Sequence, residues 1–153
     1  MIYALAFLIG VIAGLRAMTA PAAISWAAYL GWIDLQGSWL SFLGHPWAPW
    51  IISALAFAEL ITDQLPTTPS RKVPAQFVTR ILSGILCGAA IGYAGASLAG
   101  GAIAGAIGAV VGTLGGASAR SMLASAMGRD RPAALIEDIV AVGGAFAIVA
   151  SLA

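Results

Sequence analysis

Polar positions are sparse along this chain, and the apolar runs between them are longer than soluble helices use. A membrane-crossing helix needs about 20 mostly apolar residues, and the pattern divides into five such stretches. The first covers residues 2–29, interrupted by Arg16 and Pro21, and the second covers 49–65. No charge occurs from Ile81 to Ala119, a run too long for one crossing. The Gly/Ala/Ser-rich segment 95–101 divides that run into a third span, 74–94, and a fourth, 102–127; the fifth covers 132–153. The first run is read as a span and not a cleaved leader, because no Lys or Arg precedes it and it continues past Arg16.

Composition agrees with the pattern. Hydrophobic residues make up 61% of the 153 and charged residues 8%, against about 25% charged in a soluble domain. The expectation is therefore all-α: a single polytopic membrane domain over residues 1–153. Net charge is +1, without the clustered Lys and Arg that nucleic acid requires. Cys87 and His45 are the only residues of their kinds, so neither a disulfide framework nor a Cys/His metal site is expected. No cofactor is expected either.

The few charges set an orientation. Arg71 and Lys72 lie between spans two and three, Arg80 just inside span three, and Arg129 and Arg131 between spans four and five. Segments 31–48 and 95–101 contain no Lys or Arg. With five spans both basic connections share one face, which the positive-inside rule makes cytoplasmic. The N-terminus is then cytoplasmic and the C-terminus outside, in a bacterial inner membrane. The long outer connection holds Trp32, Trp39, Phe42 and Trp47, with Trp50 just beyond. Such rings suit the membrane–water interface, and the segment is expected to lie along it as a short amphipathic piece.

Glycines recur at helical spacing: Gly10 and Gly14; Gly84, Gly88 and Gly92; and Gly101, Gly105, Gly108, Gly112 and Gly116. Small residues at this spacing let membrane helices approach closely. Packing within one subunit is the first reading, and a homodimer seam the second. A repeat is also visible, since Gly14-Leu15-Arg16-Ala17-Met18 resembles Ser118-Ala119-Arg120-Ser121-Met122. Each motif precedes a span with two carboxylates, Glu59 and Asp63 in one case, Glu137 and Asp138 in the other. Halves 1–65 and 100–153, separated by one helix, would form the inverted arrangement of some transporters.

Charges within a span are costly and mark functional candidates. Arg16 sits mid-span beside Thr19 and Pro21, where the missing proline N–H leaves the Ala17 carbonyl without its helical donor. Residues 16–21 are expected to unwind. Glu59 and Asp63 share one helix face, and Asp63, near a helix C-terminus, needs a compensating cation. The candidates are Arg16, Arg80, Arg120 or a bound cation. Arg80 and Arg120 are placed where they can snorkel to the cytoplasmic interface, and Glu137 and Asp138 in the early turns of span five. The candidate substrate- or ion-binding set is Arg16, Thr19, Glu59, Asp63, Arg120, Glu137 and Asp138, around a polar cavity open to the cytoplasm. There Arg16 would bind an anion or switch between acids, with protonation of Glu59 coupled to movement.

At these residues the chain resembles an uncharacterised bacterial integral-membrane family, domain of unknown function 4126. The segments that carry the resemblance are 14–21 (GLRAMTAP), 59–74 (ELITDQLPTTPSRKVP) and 115–138. It implies a small multi-span membrane protein and transfers no activity, substrate or catalytic residue. The leading functional expectation is a transporter or permease for a small solute or ion, and not an enzyme. The alternatives are a non-transporting assembly or accessory protein and, less favoured, an intramembrane enzyme. In that last case the two acid pairs would have to converge on Mg²⁺ and a lipid diphosphate.

Overall fold

A computed structural model describes residues 1–63, 73–95 and 97–153. Its regular elements are helices: α1 (Ile2–Leu15), α2 (Thr19–Tyr29), a 3-10 helix (Trp39–Gly44), α3 (Ala48–Thr62), α4 (Pro74–Gly95), α5 (Leu98–Met127) and α6 (Asp130–Ala150). Helix ends fall where local chemistry dictates. Ser97 accepts from the Gly100 amide at the start of α5, and Gly128, at φ 68°, takes the left-handed conformation that ends it. Pro74, with its fixed φ, opens α4.

The protein is a polytopic helical membrane protein: α4, α5 and α6 are long and apolar enough to cross a bilayer, and α1 and α3 are shorter apolar helices. Spans three and five match α4 and α6 within a few residues, and span two matches α3 up to residue 63, its last two positions lying outside the described residues. The break expected within 95–101 is much shorter, so α5 starts at Leu98 and not at residue 102. The first expected span differs most, because it is two helices running in opposite directions.

Side-chain contacts fix those directions. At one end of the bundle Ile2 lies against Gly95 and Tyr3 against Gly100; at the far end of α1, Arg80 bonds the Gly14 and Leu15 carbonyls. Helix α1 is therefore antiparallel to α4 and parallel to α5. Ser83 reaches Ala17 just before α2, and Tyr93 reaches Gln36 just after it. Helix α2 therefore runs with α4 and against α1. With 14 and 11 residues, the two helices rise about 21 and 17 Å, less than the ~30 Å hydrocarbon layer. They form a re-entrant hairpin with Arg16, Ala17 and Met18 at its tip.

Helix α6 runs back along α1, with Gly144 at Ile12 and Asp138 at Arg16. The N-terminal end of α1 and the C-terminal end of α6 thus lie at the same end of the bundle, where opposite faces were expected; the hairpin's return accounts for the difference. The ends of α3 and α5 lie together at the other end, as do the starts of α4 and α6. Arg129 belongs to that end, whereas the expectation for Arg71 and Lys72 lies outside the described residues. Because α1 and α5 run in the same sense, the two Arg motifs are not related by inversion. Their local structure also differs: the chain breaks at Arg16 but stays helical through Arg120.

The glycine stripes lie inside the subunit. A Cβ on Gly14 would come within 2.6 Å of the Thr113 nitrogen, and one on Gly84 within 2.7 Å of the Ala109 Cβ. Gly10, Gly84 and Gly88 all press on Gly105, so α1, α4 and α5 meet nearly backbone to backbone. These faces are unavailable as a dimer seam. The 3-10 helix is amphipathic as expected, burying Leu40 and Leu43 while Trp39 and Phe42 stack on its exposed side.

Candidate functional site

Helix α1 stops because Arg16 adopts an extended conformation, φ −142° and ψ 113°. Helix α2 restarts at Thr19, which puts Pro21 in its first turn, where a missing N–H is tolerated. The interruption leaves carbonyls and amides without helical partners inside the bundle, and side chains from three other helices satisfy them. Arg80 Nη1 donates to the Gly14 oxygen at 2.9 Å and also to the Leu15 oxygen. Thr113 Oγ1 donates to the Gly14 oxygen at 3.2 Å. Ser83 Oγ donates to the Ala17 oxygen, the carbonyl that Pro21 cannot serve. The Ala17 and Met18 amides donate to Glu59 Oε1 and Oε2, each at 2.8 Å.

These caps also match charge to helix polarity. Arg80 stands at the negative C-terminal end of α1 and Glu59 at the positive N-terminal end of α2, each favourable by about 0.3–2 kcal/mol. Arg16 lies between them, fully buried. Its Nη1 bonds Asp63 at the end of α3, and its Nη2 bonds Asp138 of α6. Arg80 Nη2 stands 3.6 Å from Asp63 Oδ2 and 3.8 Å from Glu59 Oε1, so Asp63 serves both guanidinium groups. The Glu59 and Asp63 side chains each remain 14% exposed and that of Asp138 12%, so the cluster reaches the subunit surface beside both α3 and α6. Among the described residues, Arg16 Nε and Thr19 Oγ1 are buried without a hydrogen-bond partner.

A second cluster occupies the α5–α6 turn. Arg120 binds Asp130 through two hydrogen bonds, 3.0 and 2.6 Å, and lies 3.7 Å from Glu137 Oε2. Glu137 and Asp138, adjacent on α6, thus point the two clusters' charges along one helix.

Of the expected set, the structure brings Arg16, Glu59, Asp63 and Asp138 together, with Thr19 beside them. Arg120 and Glu137 gather with Asp130, close enough to the first cluster for the Asp63 charge to act on Arg120. The compensating cations that Asp63 required are Arg16 and Arg80. Arg80 does not snorkel, since it is buried against α1. Glu137 and Asp138, in the early turns of α6, are likewise buried within the subunit. Arg16 presents no open fork to an anion, because both its terminal nitrogens are held. The acid pairs do approach one another, but around a guanidinium; among the described residues no three-group metal cluster occurs. Sequence reasoning missed Arg80 as a site residue, along with Ser83, Thr113 and Asp130. A signal for Arg80 existed: it continues the four-residue stripe of Gly84, Gly88 and Gly92, the face that turns inward.

The family described as Domain of unknown function (DUF4126) matches residues 3–151. The chain belongs to that family. DUF4126 covers both the re-entrant hairpin and the helices that cap it, so the break at Arg16 lies within the family's domain. No curated protein and no solved structure matches the chain. No enzyme family is indicated for this DUF4126 member.

Proposed function

We propose that this protein carries a small solute or ion across the membrane, with the tip of the α1–α2 hairpin as its binding and gating element. The observation that supports this most is the interrupted helix itself. Non-helical backbone at membrane depth is tolerated where protein or a polar cavity lines it, and transporters use such half-helix ends to bind ions. Here both ends are exposed by the break and held by charged side chains from separate helices, so movement of α3 or α4 would uncover them. The part-exposed side chains of Glu59, Asp63 and Asp138 give the approach. The Arg129 and Arg131 end of the bundle is read as cytoplasmic on the positive-inside rule, which puts both chain ends outside, in an inner membrane.

The test is reconstitution in liposomes with imposed gradients of H⁺, Na⁺, K⁺, Cl⁻ and small organic solutes, read by solid-supported-membrane electrophysiology. Wild-type protein should dissipate at least one gradient, and Arg16→Lys, which keeps the charge but cannot span both acids, should lose that flux. Silence of the wild-type protein under every gradient overturns the reading. A second reading, a non-transporting assembly protein, is supported by the filling of the Arg16 fork by Asp63 and Asp138. It expects that silence together with a partner retained through purification.

A further inference from the structure

We propose that the N-terminal end of α2 is a binding site for a small carboxylate, and that Glu59 occupies it as a built-in stand-in. This names the substrate class of the same site, and it rests on the transport reading only for the ligand's role as cargo. The two Glu59 oxygens each take one backbone amide, from Ala17 and Met18, at 2.8 Å. A helix N-terminus holds a carboxylate ligand in this way.

Two further observations point to a ligand beyond Glu59. Thr19, the first residue of α2, is 6% exposed, and its hydroxyl has no partner among the described residues. The Cβ of a helical residue tilts toward the N-terminus, so the Thr19 side chain leans toward the break. Arg16 Nε, on the same three-residue tip, is also buried and unpartnered among the described residues. Buried polar groups are seldom left so. Because a guanidinium nitrogen only donates, the group that would meet Nε is an acceptor, as a carboxylate oxygen is. Glu59, tethered to α3, fills two donors and leaves these two; a free carboxylate in its place can use the amides and the Thr19 hydroxyl together. Arg80 Nη2 already stands 3.8 Å from Glu59 Oε1, a counter-charge that lies beside Glu59 if a ligand takes the amides. The incoming anion still joins Glu59, Asp63 and Asp138, so binding to the wild-type protein is weak and loss of the Glu59 charge strengthens it.

The experiment uses the full chain in zwitterionic nanodiscs, titrated with sodium acetate against sodium chloride at equal ionic strength. Tryptophan fluorescence is the readout, with Trp26 on α2 as reporter. Wild-type protein should show a saturable change specific to acetate. Glu59→Gln should bind about tenfold tighter through removal of a like charge. Thr19→Ala, in either background, should bind about fivefold weaker through loss of one hydrogen bond. If Glu59→Gln fails to fold, Thr19→Ala in the wild-type background still decides, because it removes a group that has no partner among the described residues. No acetate-specific saturation, or an affinity that Thr19→Ala leaves unchanged, overturns the proposal and gives the space to ordered water. Cation flux without acetate binding overturns it while leaving the transport reading in place; acetate binding without flux does the reverse.

Discussion

Arg16 is a residue on which the interior depends, because Asp63 and Asp138 both bond its guanidinium. Removing one partner of a buried ion pair leaves uncompensated charge and costs about 3–5 kcal/mol. Arg16→Ala should therefore lower the thermal stability of the detergent-solubilised protein markedly, followed by size-exclusion profiles after heating. Adding Asp138→Asn to that variant should recover part of the loss, and an unchanged profile would show that the two groups are not coupled. Ser83→Ala tests the smaller contact: it strands the Ala17 carbonyl and should cost about 1–3 kcal/mol. Arg16 was legible in the sequence because a charge deep inside an apolar run must be given counter-charge or water. Ser83 was not, since a serine in a membrane helix is common and its target is set by a proline 62 positions away.

At the scale of helices, Gly105 is the point where α1 and α4 both close on α5. A Cβ there would meet Gly88 Cα at 2.9 Å and the Gly84 carbonyl carbon at 3.0 Å, backbone atoms that cannot rotate away. Gly105→Leu should abolish a monodisperse folded protein. Gly115→Leu should be tolerated, because a Cβ at Gly115 meets nothing within 4 Å, and replacing a mid-helix glycine even gains up to about 1 kcal/mol of helix propensity. Thermal melts of the two variants side by side check this. The spacing of the stripes was readable and revealed which faces pack. It did not reveal the partners, because α1 and α5 offer the same four-residue rhythm to any neighbour. The hairpin was hidden for a similar reason: hydropathy registers that residues 2–29 are apolar and is blind to a reversal of direction. The marks of that reversal, Arg16 and Pro21, fit a kinked single span equally well.

For the molecule as a whole, the return of α2 brings both chain ends to one side. Reporter fusions or impermeant cysteine labelling at positions 1 and 153 should give the same answer for each end, and opposite answers would mean that α1 and α2 cross as one span. The all-helical membrane body was legible from hydropathy, whereas topology needed the contacts of Ile2, Tyr93 and Arg80, which no local pattern encodes. The pairings of Arg16 also impose an order on biogenesis. Its first acid is 47 residues downstream and its second 122, so a nascent chain emerging N-terminus first supplies them far apart in time. Until α6 leaves the ribosome, the guanidinium has Asp63 at best, and a translation product truncated after Met127 should remain a substrate for membrane quality-control proteases.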